Sequence, residues 1–378
     1  MVEAPIKNSS ALDDWCERLL HSLEAPSGPM AACQAQSRNH LETLSAPHRR
    51  QEAWRFCDLA PIAELEPRQI CSLGEPSAPG VSDQVTRLVL GTGQDPFAGV
   101  TLPKGLSPLS DAELKHSLGH TLNLATSKGQ WPVALNQAIA SQVIGLRVSG
   151  IVDSPLELVC DAGVDRGVFA VRVLLLLEEK AKLELLQVQL SSGANLTSVL
   201  VEAHLQSEAK LRHGLLAFGH PQAALLAHLA VEQEPSSDVS LVSVSQGWGV
   251  IRHEPQLIQL NGGAKSQLRA LQLVQANQLA DTHSCVRFNG PEGTLDQLHK
   301  VVAAGHGRSV FNGVVQVPRE AQRTDAAQLS RSLLLSDRAR IDTKPELEIV
   351  ADDVKCAHGA TVSRLQPEAL FYLQSRGI

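Results

Sequence analysis

The sequence predicts a mainly β protein with an α-helical N-terminal region. Two observations carry that reading. Before about residue 75, apolar residues fall at helical spacing. From about 143 to 350, short β-type segments recur, each broken by Gly, Asn, Asp or Ser. Regular short strands over such a length build a sandwich, a barrel or a β-solenoid, and no strict hexapeptide or nonapeptide repeat chooses among them. A chain of 378 residues predicts two or three compact units, unless one is an elongated solenoid.

Ser10 followed by Asp13 is a helix start signal. Leu12, Trp15, Leu19, Leu20 and Leu23 then share a helical face, and Pro26 ends the run. A second helical pattern covers 30–44 and a third includes 52–56. The segment 74–80, GEPSAPG, reads as a linker. Further on, 86–90 predicts a strand, Ser110 with Glu113 caps a short helix, and 131–140 predicts another helix. The β-type segments are 143–148, 156–160, 168–177, 181–190, 198–205, 211–218, 224–231, 239–244, 267–274 and 309–317, with turn clusters at 191–193 and 261–263. A short alternating segment, 345–350, precedes the last stretch. A final helix is expected after 362, with Pro367 at its first position and Glu368 beside it.

Composition excludes several classes. Hydrophobic residues make up 43% of the chain, enough for a core, but aromatics only 3%, which suits thin repeated layers. The net charge is −7 with no dense Lys/Arg run, which argues against nucleic-acid binding. No apolar run reaches the ~18–20 residues of a membrane span, and MVEAPIKNSS lacks the basic-then-apolar pattern expected of a secretory leader. The 7 cysteines are scattered with no Cys-x-x-Cys, so neither a disulfide framework nor a zinc ribbon is present, and a reducing cytosol fits best.

The chemistry concentrates near the end. Cys356 and His358 lie two apart, next to Asp352, Asp353 and Lys355. On an extended backbone residues i and i+2 share a face, so a thiolate and an imidazole would project together, a half-site for a soft metal or an iron–sulfur cluster. On type and spacing alone, a buried cysteine beside a hydrogen-bonded histidine is the favoured reading. His283 and Cys285 form a second pair of this kind, read as a core cysteine beside a surface histidine. Asp352 and Asp353 are adjacent, would point opposite ways on a strand, and read as a turn. Lys344 reads as a solvated charge. Gly262-Gly263-Ala264-Lys265-Ser266 lacks the spacing of a P-loop, Gly91-Thr92-Gly93 opens no dinucleotide fingerprint, and neither G-x-S-x-G nor H-E-x-x-H occurs.

The last stretch resembles the SufB/SufD family of iron–sulfur cluster assembly scaffolds and is most similar to its SufD branch. The carrying residues are Ala321, 324–326, 333–336, 342–349, 352–356, 358–362 and 371–378. Upstream, Trp54-Arg55-Phe56 with Asp58-Leu59, Ala134-Leu135-Asn136 and Val310-Phe311-Asn312-Gly313 also match. Gly359 stands where SufB proteins usually carry Glu, and Phe288-Asn289 stands where SufD relatives commonly have an acidic residue and His.

The resemblance implies a right-handed parallel β-helix over 146–357, preceded by an N-terminal helical region (1–80) and a mixed connecting region (81–145), and followed by the start of a C-terminal helical region (358–378). It implies a non-catalytic scaffold that binds no nucleotide. SufB would pair with it through the β-helix, near 310–358. The SufC ATPase would dock on C-terminal helices and supply ATP-driven motion. Cys356 and His358 would face SufB and help hold a transient cluster shared between the two chains. Sulfur would arrive from a cysteine desulfurase, onto SufB. SufD proteins usually continue past the equivalent of Ile378, so weak SufC binding is expected of this form. In isolation a homodimer is expected, and the N-terminal helices are expected to cap the solenoid. Two other readings are a β-helix carbohydrate-active enzyme, which Trp248 as the lone Trp of the β region disfavours, and a SufB-like self-pairing scaffold, which Gly359 disfavours.

Overall fold

The computed structural model describes residues 10–378 apart from 29, 74, 79–83, 126 and 128, and only the backbone of 367. Part of the linker expected at 74–80 therefore lies outside the described residues. The strands form two sheets of nine. Numbered in chain order, sheet I holds β1 (Thr86–Val89), β4 (Leu156–Asp161), β6 (Lys182–Leu190), β8 (Lys210–Phe218), β10 (Asp238–Gln246), β12 (Lys265–Val274), β14 (Thr294–Ala303), β16 (Asp325–Leu334) and β18 (Lys355–Arg364). Sheet II holds β2 (Leu106–Pro108), β3 (Gln142–Val148), β5 (Gly167–Leu177), β7 (Asn195–Leu205), β9 (Ala224–Gln233), β11 (Val250–Leu260), β13 (Leu279–Asn289), β15 (Arg308–Val317) and β17 (Arg340–Ile349).

The chain alternates between the sheets, and every pairing but β2 with β3 is parallel. This is a parallel β-solenoid. One coil takes 28 residues where Lys182 pairs with Lys210 and 32 where Arg308 pairs with Arg340. Alternate residues of each strand point between the sheets and pack as one apolar layer: Leu183, Leu185, Leu211, Leu225, Leu241 and Ile251 are among them.

The repeat lies in the geometry of one corner. Lys180, Glu208, Ser236, Glu292 and Arg323 all have positive φ, 58–62°. Each backbone N–H donates to a carbonyl one coil further on: Lys180 to Ser207, Glu208 to Pro235, Ser236 to Gly262, Glu292 to Gln322 and Arg323 to Asp353. A left-handed residue turns the chain there, and its amide locks the corner to the next corner.

Five helices are where spacing placed them: α1 (Ala11–Ser22), α2 (Ala31–Thr43), α3 (Asp111–Ser117), α5 (Trp131–Ile139) and α6 (Pro367–Ser375); a sixth short one, α4 (His120–Leu124), was not expected. Ser10 with Asp13 and Ser110 with Glu113 both form reciprocal capping boxes. The stretch expected as a third helix is a short 3₁₀ turn, Glu52–Trp54. The helices do not cap the solenoid end as expected. They cover the outer face of sheet II, where Trp15, Leu19, Ala134 and Leu135 join Leu226, Val250, Leu279 and Val310 in a second core. Trp15 donates its indole N–H to the Leu65 carbonyl at 2.8 Å, and Asn136 donates to Val171 and Ser198 carbonyls at 3.1 Å. The first coil is covered by the loop carrying Phe97, Val100 and Leu102. At the other end β17 and β18 each have a strand neighbour on one side only. Beyond them Leu365, Phe371, Tyr372 and Ile378 are exposed. No described helix is long and apolar enough to cross a membrane.

Two buried histidines interrupt the inner layer. His213 accepts or donates at 3.0 Å with Gln187, and His299 stacks on Phe311 at 4.4 Å. Burial, with the neighbouring His253, pushes both down to about 3. They are thus neutral in the folded chain at any pH above that, whereas the unfolded chain protonates them near 6.5. The unfolded state binds more protons in this window, so stability is full above pH 6.5 and falls on acidification. The expected slope is about 1.4 kcal/mol per pH unit for each histidine. Urea unfolding between pH 7.5 and 4.5 measures it, and His299→Gln should flatten the dependence.

Candidate functional site

Cys356 and His358 lie in β18, the last strand of sheet I. Their partners in β16 are Ala326 and Gln328, both 2% exposed and turned between the sheets. Register carries that orientation to β18, so Cys356 and His358 share the inward face, as their spacing implies. Among the described residues no further coil covers them. Cys356 is half-buried and packs against the edge of the core, while His358 is exposed. Burial raises the Cys356 thiol above its ordinary range, only partly offset by an Ala326 backbone hydrogen bond. Such a thiol becomes a good ligand when a cation draws off its proton.

The rung behind this pair is polar and connected. Gln328 donates to Gln297 at 2.9 Å, and Gln297 donates to Ser284 of sheet II at 2.8 Å. Gly313 makes room for this link. A Cβ there would lie 2.3 Å from Gln328 Nε2 and 2.7 Å from the Phe311 ring. The Val310–Gly313 motif therefore has a packing reason: Phe311 fills the layer and Gly313 leaves space for an amide one rung behind His358.

Asp352 and Asp353 form the turn into β18, as expected. Asp353 N–H donates to Gln322 at 3.0 Å, and its carbonyl accepts from Arg323 at 2.6 Å. Lys344 is not simply solvated. Its ammonium pairs with Glu52 at 2.6 Å and with Glu346, tying β17 to the N-terminal region.

His283 and Cys285 share the outward face of β13 and border a cleft of about 650 Å³ beneath the N-terminal segment. The expected pairing of core cysteine with surface histidine does not hold, because both are half-buried. His283 is engaged with buried Asp281 at 3.0 Å. Burial pushes the Cys285 thiol up to about 11.

Next to them is a buried charge node that spacing gave no sign of. Arg252 donates to Glu254 at 2.8 Å and to Asp281 at 2.6 Å, and all three side chains are within 5% of full burial. Burial would raise the Glu254 and Asp281 carboxyls, but Arg252 with His228 and His283 outweighs it and holds both below their usual values. The guanidinium also donates to the Ala53 carbonyl at 3.0 Å and lies 3.7 Å from the centre of a Trp54 ring. The tryptophan motif thus fastens the N-terminal region to the solenoid. Beside the node, Pro255 has no N–H to give, strand pairing lapses, and the Gln256 amide donates to the His283 carbonyl at 3.0 Å instead. A residue that could have betrayed the node is this proline in a central strand.

Among the described residues, no three His, Cys, Asp or Glu donors already converge to hold a metal ion. The edge pair brings together two side chains of metal-ligating type. The last coil of the solenoid thus carries a thiol–imidazole pair on its inner rim, beside strand edges that have no neighbour among the described residues.

Comparison with known proteins gives the family. Residues 160–378 match the model described as SUF system FeS cluster assembly, SufBD core domain. An iron–sulfur cluster assembly SufBD family protein of Synechocystis sp. is 32% identical over 89% of this chain and 80% of its own length. The iron–sulfur cluster assembly protein SufD of Escherichia coli is 30% identical over 98% and 88%. Protein ABCI7, chloroplastic, of Arabidopsis thaliana is 39% identical over 55% and 44%. The chain belongs to the SufB/SufD family of iron–sulfur cluster assembly proteins and is close to SufD.

Gly313→Ala should cost about 1–3 kcal/mol by overpacking the Gln328 link, measured by urea unfolding. Gly129→Ala, where a Cβ meets nothing within 4 Å, should be silent.

Proposed function

We propose that this chain is a non-catalytic scaffold that pairs through its open end with a homologous β-solenoid of the SufB type and helps hold a nascent cluster between them. The observation that carries this reading is the coincidence of an unpaired strand edge with Cys356 and His358 on its inner rim. A strand edge left open demands pairing. Around it Ile349, Val350 and Val362 are exposed, apolar surface of the kind that marks an interface.

The cluster is cargo here. It must be held and then released. A mixed thiolate and imidazole shell split between two chains serves both needs, since separating the chains removes half the ligands. In this reading an ATPase of the SufC type supplies motion and meets the C-terminal region around α6. The compartment is the cytosol.

Two measurements test the reading. His358→Ala should leave folding and pairing intact but impair maturation of iron–sulfur enzymes in a strain with no other assembly pathway. Normal maturation there would overturn the site. For the interface, light scattering of the chain alone at high concentration should show a two-fold pair. Val350→Lys with Val362→Lys should disperse it, and a wild-type chain that is monomeric throughout would count against edge pairing.

A further inference from the structure

Far from the open end, on the helix-covered face of sheet II, four side chains meet. His204 of β7 is the lateral partner of Glu232 of β9 in the parallel ladder. Glu234 follows directly after β9, and His120 opens α4, set there by Gly119 with φ of +84°. Both histidines present Nε2 to the carboxylates. His204 Nε2 lies 3.0 Å from Glu234 and 3.7 Å from Glu232, and His120 Nε2 lies 3.5 Å from Glu232.

The electrostatics single out Glu232. Its neighbour Glu202 is buried but neutralised, with Arg172 at 2.5 Å and the Gly119 N–H at 2.8 Å. Glu232 is 4% exposed. The contacts it has are the Thr121 hydroxyl at 3.3 Å and the two imidazoles. A buried carboxylate held by neither Lys nor Arg needs a cation from elsewhere.

We propose that His120, His204, Glu232 and Glu234 form a site for a borderline divalent transition-metal ion such as Zn²⁺, separate from the cluster-holding edge. The donor set is two imidazoles and two carboxylates, which suits Zn²⁺ or Fe²⁺ better than Mg²⁺ or Ca²⁺. Ligands about a tetrahedral ion with bonds of roughly 2.0–2.1 Å lie about 3.4 Å apart. The three nitrogen–oxygen separations, 3.0, 3.5 and 3.7 Å, bracket that spacing. The four donors do not yet meet around one point, and the two rings are 6.4 Å apart. Three of them form a fixed wall, since Glu232 is buried, His204 is one-quarter exposed, and Glu234 accepts from the Ser207 N–H and hydroxyl at 3.2 and 3.3 Å. His120, 60% exposed, is the arm that closes on the ion. Closure would pin α4 to sheet II.

The test uses tag-free full chain carrying Cys356→Ala and His358→Ala, so that the edge pair cannot report. Equilibrium dialysis with Zn²⁺ and the visible spectrum with Co²⁺ should show one ion bound in a tetrahedral field. His120→Ala, an exposed change that leaves folding intact, and Glu232→Gln should each weaken binding at least tenfold. Absence of stoichiometric binding, or binding unchanged when His120→Ala and His204→Ala are combined in a chain whose circular dichroism is native, would overturn the assignment.

Discussion

The structure depends on one constraint: each coil of the solenoid satisfies its backbone hydrogen bonds through the coils beside it. Two parallel sheets run the length of the molecule, and the left-handed corners at Lys180, Glu208, Ser236, Glu292 and Arg323 lock coil to coil with one amide each. Stacking of this kind has no internal stop. At one end the 91–105 loop covers the first coil. At the other, β17 and β18 end the stack with their outer edges unpaired. Everything proposed about pairing follows from that asymmetry, because the same hydrogen-bonding requirement that builds the solenoid is left unmet at its rim.

The helices serve a different purpose from the one their position in the chain suggests. They lie along sheet II and bury its outer face, and their attachment runs through a buried Arg252 held by Glu254 and Asp281. Trp54 closes over that guanidinium. The Lys344 pair with Glu52 joins the same N-terminal region to β17. The segment carrying the tryptophan motif thus touches both the buried node and β17.

Some polar groups inside the stack are connected. The Gln328–Gln297–Ser284 link crosses between the sheets one rung behind the edge pair, and Gly313 exists at that point because an amide needs the space. The rung behind the edge pair is therefore polar, built of amides and a hydroxyl.

The sequence by itself determined the local elements. Capping boxes at Ser10 and Ser110, helical spacing in α1 and α5, and alternation in most strands were all legible, because each depends on neighbours within a few residues. The inward pairing of Cys356 with His358 was legible for the same reason, a period of two. The coil repeat was not, because the corner asks for a backbone angle, and Lys, Glu, Ser and Arg all adopt it here without a shared side-chain signature. Nor were the contacts of Arg252 with Trp54, or of His120 and His204 with Glu232, since residues a coil or more apart in the chain meet only after the sheets stack. Tertiary structure alone decided that the helices cover a face and leave an end open. That choice rests on which apolar surface each helix could bury, a matter of three-dimensional fit that no local pattern encodes.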